Sequence, residues 1–155
     1  MEKYLYFGVL LFAISYPLAQ SFEHRIRYAS KWGMILPGML ITAAFFLIWD
    51  VWFTNMGVWE FNPTYISGLY LINLPVEEWL FFLVIPFACI FIYEVLIYFF
   101  PSDPLQDLGK PFVYIMVPFL IGFGLLHLDK WYTSVNFLVG GLALLIHFLI
   151  FNDKY

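Results

Sequence analysis

Long apolar runs dominate this chain and leave it few ways to fold in water. Five of them follow one another, at about Tyr4–Ala19, Met34–Phe53, Pro75–Phe100, Pro111–Leu128 and Ser134–Phe151. Runs of about 17–25 apolar residues have the length that crosses the hydrocarbon core of a bilayer as a helix. A helix also satisfies its own backbone polar groups, as lipid requires. The pattern predicts an all-α integral membrane protein with about five transmembrane helices.

The composition also indicates that lipid, rather than water, surrounds most of the chain. Of the 155 residues, 63% are hydrophobic and 12% are charged, whereas soluble domains have about 45–50% apolar and about 25% charged residues. The net charge of −4 offers no basic surface, so nucleic acid is not expected as a partner. No glycine-rich nucleotide-binding motif is present, and no nucleotide cofactor is expected.

The segment between the second and third runs is too long for a tight turn and too apolar for a solvated loop. Apolar stretches of about 10–14 residues more often lie at the membrane interface or re-enter it. We expect a short interfacial or re-entrant element at about residues 60–74 that covers the start of the third helix. We also expect residues 1–100 to form one membrane unit and residues 101–155 to add a two-helix segment to the same bundle.

Lysine and arginine residues are distributed unevenly between the two sides of the predicted bundle. Arg25, Arg27 and Lys31 crowd the first loop, whereas only Lys3 and Lys130 fall on the opposite side. Cytoplasmic loops carry the excess of basic residues in multi-pass proteins. We therefore expect a multi-pass protein of the cell membrane with its N-terminus outside and its C-terminus in the cytoplasm.

Acidic residues stand where two apolar runs meet the predicted outer face. Asp50 lies at the end of the second run, and Glu77 and Glu78 open the third. Charge at the edge of hydrocarbon is costly, so acids there are a functional-site hypothesis. A carboxyl group in apolar surroundings is harder to ionise and becomes a usable proton donor near neutral pH. The helix dipole explains the two glutamates in part, by about 0.3–1 kcal/mol each, but not Asp50.

Aromatic residues are dense around these acids. The aromatic belt that membrane proteins place at both interfaces explains most of the tryptophans individually. Together the aromatic side chains also suit a pocket for a long polyene, because each aromatic face stabilises a positive charge by roughly 0.5–2 kcal/mol. The candidate substrate-binding residues are Trp49, Trp52, Trp59, Asn62, Tyr65, Trp79 and Phe82.

The other ionisable residues do not suggest a second site. Glu94 lies 17 residues after Glu77, about 25 Å further along a helix, and is expected at the opposite end of the bundle as an interfacial acid. His24 lies in the basic loop, and His127 and His147 lie near opposite ends of a helical pair. A metal or haem site needs ligands at one depth, so no metal site is expected.

Several strings in the first hundred residues carry a family resemblance. They are Trp49-Asp50, Gly57-Val58-Trp59, Phe61-Asn62-Pro63, Tyr65-Ile66-Ser67-Gly68, Leu74-Pro75-Val76-Glu77-Glu78-Trp79-Leu80-Phe81-Phe82, Pro86-Phe87 and Tyr93-Glu94. In this order they resemble the membrane-integral, non-flavin lycopene cyclase domain, which occurs as heterodimeric or fused two-unit proteins of carotenoid biosynthesis. Residues 1–100 correspond to one such unit, and the rest of the chain is similar mainly in hydropathy.

The resemblance implies an acid-catalysed, redox-neutral isomerisation that needs no cofactor. The linear ψ-end of lycopene, a lipid-soluble polyene, is protonated at its terminal double bond. The cation then closes a six-membered ring, and loss of a proton gives a β-ionone ring. Glu77 and Glu78 match the family's acidic motif, in which one of them donates or relays the proton. Asp50 matches the Trp-Asp helix end as a third polar member.

The resemblance also implies a second cyclase unit. Family members carry two units, each with a proline–x–Glu–acid motif, and Glu77-Glu78 is the only copy in this sequence. We expect a subunit of a hetero- or homo-oligomer, or a chain that lacks the C-terminal half of a fused protein. Whether this chain is active alone stays open.

Two other functions remain possible from the sequence. A small transporter or channel subunit would use Glu77 and Glu78 to handle cations or protons. It would show ion flux and no response to carotenoid. A non-catalytic carotenoid-binding membrane protein would instead retain unreacted lycopene on purification.

Overall fold

The fold consists of five α-helices within the residues that the structure describes. This structure, a computed structural model, describes residues 2–102 and 106–151, and only the backbone of Gln106. The helices are α1 (Leu5–Gln20), α2 (Trp32–Asn55), α3 (Val76–Phe99), α4 (Gln106–Leu126) and α5 (Trp131–Phe151). A two-stranded hairpin of β1 (Tyr70–Leu71) and β2 (Leu74–Pro75) precedes α3. The prediction of an all-α membrane protein is confirmed, with four of the about five predicted transmembrane helices long and apolar enough to span in the described chain.

Four helical segments of the described chain are long and apolar enough to cross a membrane. They are Tyr28–Asn55, Val76–Phe99, Asp107–Leu126 and Trp131–Phe151, and only 17% of the most apolar window of each is buried inside the protein. Most of their apolar surface therefore needs lipid around it. The remaining helix, α1, has 16 residues, about 24 Å of helix against a hydrocarbon core of about 30 Å.

The helix boundaries differ from the predicted runs mainly at α4. This helix begins at Gln106, before the predicted start at Pro111, and continues through both Pro111 and Pro118. Its first residues are polar, so a search for apolar runs does not detect them. Similarly, α3 continues through Pro86, because packed helices tolerate an interior proline.

Contacts divide the chain into two compact units, residues 1–101 and 102–155. In the first unit, α3 packs against both α1 and α2. In the second unit, α4 and α5 pack against each other. A Cβ atom at Gly124 would lie 2.8 Å from Leu138 Cγ, and one at Gly141 would lie 2.9 Å from Ile121 Cγ1. Glycine at these two positions therefore permits the close approach that membrane helices often use.

A connecting segment of residues 56–75 joins α2 to α3. It leaves α2 through a Schellman motif, in which Val58 N–H donates to Phe53 O and Gly57, at φ +68°, donates to Thr54 O. It ends in the hairpin, where Asn73 Nδ2 donates to Val51 O at 2.9 Å and so ties the turn to α2.

The connecting segment also contacts α1 and α3. Tyr65 O accepts a hydrogen bond from Tyr6 N–H of α1, and Ser67 N–H donates to Glu77 Oε1 of α3. Leu69 O accepts from Val76 N–H at the first residue of α3. The segment thus covers the start of α3, as predicted, and it consists of irregular chain and a hairpin.

The hydrophobic core of the first unit lies toward the other end of α3. Tyr28, Met39, Phe87 and Phe91 form its buried cluster. The Tyr28 hydroxyl donates to Phe87 O at 3.0 Å, which satisfies the one polar atom of that buried side chain.

Candidate active site

Acidic side chains from two helices meet at the end of the first unit that the connecting segment covers. Glu77 and Glu78 lie in the first turn of α3, and Asp50 lies in the last part of α2. Asp50 interacts electrostatically with Glu78. Tyr6 of α1 interacts electrostatically with all three carboxyl groups. We call Asp50, Glu77 and Glu78 the acid cluster.

Glu77 is the most enclosed member of the acid cluster. Its side chain is 0% exposed, and its Oε1 accepts the hydrogen bond from Ser67 N–H at 2.7 Å. Its Oε2 is buried and has no hydrogen-bond partner in the described part of the chain. Leaving a buried polar atom unpaired costs about 1–3 kcal/mol. Such an atom in a folded protein needs a reason, and a role in binding or catalysis is one.

Glu78 is only half-buried, and α1 supplies its partner. The Tyr6 hydroxyl donates to Glu78 Oε2 at 2.6 Å. The Tyr6 ring meets Phe81 edge-on, with the ring centroids 6.5 Å apart. Because its backbone N–H also bonds to Tyr65 O, Tyr6 is held by both α3 and the connecting segment.

Asp50 combines burial with an incomplete set of hydrogen bonds. It is 4% exposed, and its Oδ2 has no partner among the described residues. The Trp59 indole lies within hydrogen-bonding reach of the Asp50 carboxyl group and also donates to Thr54 Oγ1 at 3.0 Å. The connecting segment therefore reaches Asp50 as well as Glu77.

No basic side chain forms an ion pair with the acid cluster within residues 2–102 and 106–151. The ion pairs found there join Glu23 to His24 and Arg25, and Lys31 to Glu94. Ionising three carboxyl groups at close range without a cation is costly. Acidic groups without a counter-ion at the end of a membrane-spanning helix are a functional-site hypothesis.

Unsatisfied buried polar atoms concentrate around this cluster. In the described part of the chain, five buried side-chain nitrogen or oxygen atoms lack a hydrogen-bond partner, and four of them belong to Asp50, Asn73, Glu77 and Trp79. The fifth is the indole nitrogen of Trp32, at the other end of α2. Native proteins contain few such atoms, so their concentration here makes this end of the first unit the candidate site.

A stack of three aromatic rings stands beside Asp50. Phe53 is fully buried and lies between Trp49, at a centroid distance of 5.4 Å, and Trp59, at 5.2 Å. Phe82 of α3 stacks on Phe46 of α2 at 6.1 Å. These faces present negative π-density close to the acids, which suits a positive charge in an apolar site.

An apolar groove of about 530 Å³ runs between α2 and α3. Its wall includes Leu47 and Leu80, which lie one helical turn from Asp50 and Glu77, together with Trp79 and Val51. Ile72 of the hairpin turn also lines it. This isoleucine has a φ of +63°, a conformation that β-branched residues rarely adopt. The groove is thus an apolar space whose lining residues include none of the three acids but come within one helical turn of Asp50 and Glu77.

The predicted binding residues fall into four groups. Trp79 lines the groove, while Trp49, Trp59 and Phe82 belong to the ring contacts beside it. Trp52 is half exposed and only tilts against Phe53. Asn62 and Tyr65 lie away from the groove, where both line a pocket of about 350 Å³ next to Tyr6. The Asn62 side chain caps its own loop by accepting from Thr64 N–H at 3.0 Å.

Sequence reasoning did not identify Tyr6 or Ser67 as neighbours of the glutamates. Tyr6 lies 72 residues from Glu78 in the chain, and a tyrosine at the start of an apolar run is ordinary for a membrane interface. Ser67 acts through its backbone N–H, which carries no sequence signal.

The histidines serve local contacts. His24 pairs with Glu23, the His127 ring bonds to Phe123 O one turn earlier, and His147 packs against Phe151. Across the described ranges, no three His, Cys, Asp or Glu side chains are grouped so that they could hold a metal ion.

Comparison with known proteins identifies the family. No curated protein and no solved structure matches the chain. The family model for lycopene cyclase matches residues 3–96, which is more than half of the chain and includes Tyr6, the acid cluster and the connecting segment. The chain therefore belongs to the lycopene cyclase family, with a role in the cyclisation of carotenoids at a membrane.

Proposed function

We propose that this chain, alone or as one unit of a larger cyclase, catalyses the acid-initiated cyclisation of the lycopene ψ-end to a β-ionone ring. The observation that carries the proposal is the acid cluster beside the apolar groove. Glu77 and Asp50 each keep a buried, unpartnered carboxyl oxygen. Both lie one turn from groove-lining leucines.

The proposed reaction is an isomerisation in which atoms and electrons balance. A carboxyl proton adds to one carbon of the terminal double bond, which leaves a tertiary cation on the other carbon. The electrons of a second double bond form the new carbon–carbon bond and move the cation into the ring. A neighbouring C–H bond then breaks, its electron pair forms the ring double bond, and the proton passes to a carboxylate. General acid catalysis of this kind contributes typically 10²–10⁴-fold to a rate.

Glu77 is our candidate for the proton donor. It is the fully buried member of the cluster, and its free Oε2 is a position for a proton that no described protein group occupies. Asp50 supplies a second polar group, and its negative form would stabilise the cation electrostatically.

The groove between α2 and α3 is our candidate site for the polyene end. Its wall is formed by apolar side chains, with the Trp79 indole among them. The aromatic rings of Trp49, Phe53, Trp59 and Phe82 lie on the flanking faces. Each ring face that meets the cation would contribute roughly 0.5–2 kcal/mol once water is excluded.

Two further proposals concern assembly and orientation. The single Glu77-Glu78 motif supports a second cyclase unit as a partner, either another chain or another copy of this one. The basic residues Arg25, Arg27 and Lys31 support a cytoplasmic location for the loop after α1, and hence an external acid cluster. Co-expression with a second unit and labelling of each loop from either side of the membrane would test them.

The proposed function is tested by pigment analysis of a lycopene-producing host that expresses the full chain, with and without a second cyclase unit. We expect cyclic carotenoids to replace lycopene. Unreacted lycopene that copurifies with the chain would favour simple carotenoid binding. Ion flux in vesicles without any cyclic product would favour a transporter. Either result contradicts the cyclase proposal.

A further inference from the structure

We infer that Tyr6 positions Glu78 as the base that removes the final proton, and so determines where the ring double bond forms. This inference rests on the proposed function and deepens it. It assigns different roles to two adjacent glutamates and gives α1 a part in product specificity. Neither assignment follows from the order of residues in the motif.

The geometry of Tyr6 is specified from three directions. Its hydroxyl donates to Glu78 Oε2 at 2.6 Å, within the ordinary range for an O–H···O hydrogen bond. Its ring meets Phe81 of α3. Its backbone N–H donates to Tyr65 O at 3.1 Å, which fixes the start of α1 against the connecting segment. A phenol held in this way restricts where the Glu78 carboxyl group can lie.

The two glutamates differ in ways that suit opposite roles. Glu77 is fully enclosed, accepts only a backbone N–H in the described structure, and keeps one buried oxygen bare. Glu78 is half-buried and accepts a hydroxyl. The Tyr6 hydroxyl holds one Glu78 oxygen in place, so this carboxyl group can take up a proton only from a fixed position.

The other ionisable groups near Tyr6 do not donate a hydrogen bond to Glu78 in the described structure. Asp50 and Glu77 are acidic and share its electrostatic environment. Glu60 and Tyr65 line the pocket beside it. Lys3 approaches the connecting segment, where its Nζ would lie 3.9 Å from a Cβ at Gly68. Among these, the Tyr6 hydroxyl is the donor that reaches Glu78.

The position of the base matters because the ring cation has several neighbouring C–H bonds. Whichever of these bonds breaks leaves its electron pair as the ring double bond, while the proton goes to the Glu78 carboxylate. Removal from the ring carbon that bears the polyene chain gives the conjugated β-ring. Removal from another neighbouring carbon gives an unconjugated isomer. A base that is free to move selects among these bonds less strictly.

The test is Tyr6→Phe in the full chain, expressed in the lycopene-producing host with the same second unit, if any, that the wild type needs. Tyr16→Phe is the matched control, because Tyr16 lies on the same helix and is 66% exposed. The readouts are the amount of chain in the membrane, the total cyclic product and the ratio of ring isomers. We expect Tyr6→Phe to change that ratio about tenfold toward unconjugated rings, which corresponds to the loss of one hydrogen bond. Tyr16→Phe should leave the ratio unchanged.

Each outcome decides the inference. An unchanged isomer ratio in inserted Tyr6→Phe contradicts it, and so does complete loss of cyclic product in inserted chain, because positioning alone leaves residual turnover. If Tyr6→Phe does not insert, Glu78→Asp withdraws the base by one methylene. It must then shift the ratio in the same direction, and an unchanged ratio contradicts the inference. A wild type that makes no cyclic product overturns the proposed function itself, which is a separate result.

Discussion

Helix α3 carries a glutamate near each end, and the surroundings of these two glutamates differ. Near the C-terminal end, Glu94 forms an ion pair with Lys31, beside the packed cluster of Tyr28, Met39 and Phe91. At the N-terminal end, Glu77 is completely buried, has no basic partner in the described structure and keeps one oxygen unpaired. The two residues share one helix and one residue type, so the difference lies in their surroundings.

The comparison separates an acid that serves the fold from an acid that is available for chemistry. A charge with a counter-ion at the edge of the membrane is tolerated at little cost. A buried carboxyl group without a counter-ion costs stability, and proteins accept such a cost mostly at functional sites. Substitutions at the N-terminal end of α3 should therefore change the amount or identity of the cyclic carotenoids. Substitutions at the C-terminal end should instead change the free energy of unfolding.

The largest effect is expected for Glu77→Gln. The amide preserves the shape of the side chain and removes the transferable proton, so cyclisation should fall by at least about 100-fold. Glu94→Gln is the matched control and should keep near-normal turnover. Cyclic carotenoid per amount of inserted chain is the measurement. Equal losses for both variants would remove the distinction between the two ends.

A smaller loss is expected for Asp50→Asn. The substitution removes a negative charge next to Glu78 but leaves Glu77 in place, so the rate should fall by about 10- to 100-fold. Asp129→Asn, in the turn before α5, is the control for loss of an acid elsewhere. Rates are compared in isolated membranes supplied with lycopene. Normal turnover by Asp50→Asn would exclude Asp50 from the site.

Trp79 and Trp32 give a finer test. In the described residues both have an indole nitrogen without a hydrogen-bond partner, and they lie at opposite ends of the first unit. Removing an unpaired N–H costs little, but phenylalanine is smaller than tryptophan and leaves a cavity, so Trp79→Phe and Trp32→Phe should each lower the free energy of unfolding by about 1–3 kcal/mol. Trp79→Phe should reduce turnover about threefold through the groove that it lines, and Trp32→Phe should not. Turnover and melting temperature in detergent are measured together.

The smallest effect on products is expected for Tyr28→Phe. It removes the hydrogen bond to Phe87 O in the core and leaves that carbonyl oxygen without its side-chain donor. The free energy of unfolding should fall by about 1 kcal/mol, while the identity of the products stays the same. A denaturation curve and pigment analysis provide the two measurements. A change in ring isomers would show that the two ends are coupled.

Much of the fold followed from local pattern, because lipid restricts the chain to helices and the apolar runs mark them. The acids were also recognisable, since a charge beside a long apolar run is rare. The partners of those acids were not. The bond between Tyr6 and Glu78 joins residues 72 positions apart, and the donor to Glu77 is a backbone N–H in an irregular segment.

The predicted binding residues show a similar limit. The sequence suggested seven candidates, six of them aromatic, but the direction of each side chain depends on which helix face packs against which neighbour. Trp79 lines the groove, whereas Asn62 and Tyr65 lie near Tyr6 on another side. Phe53, the buried centre of the aromatic stack, was not among them, because a phenylalanine within an apolar run looks like any other.

Solvent deuterium incorporation tests the central claim most directly. Membranes that contain the full chain, with a second unit if one is required, are supplied with unlabelled lycopene in heavy water, and the carotenoids are analysed by mass spectrometry. If a carboxyl group of the acid cluster starts the reaction by donating an exchangeable proton, each new ring carries one deuterium and unreacted lycopene carries none. Cyclic product without deuterium would contradict the account.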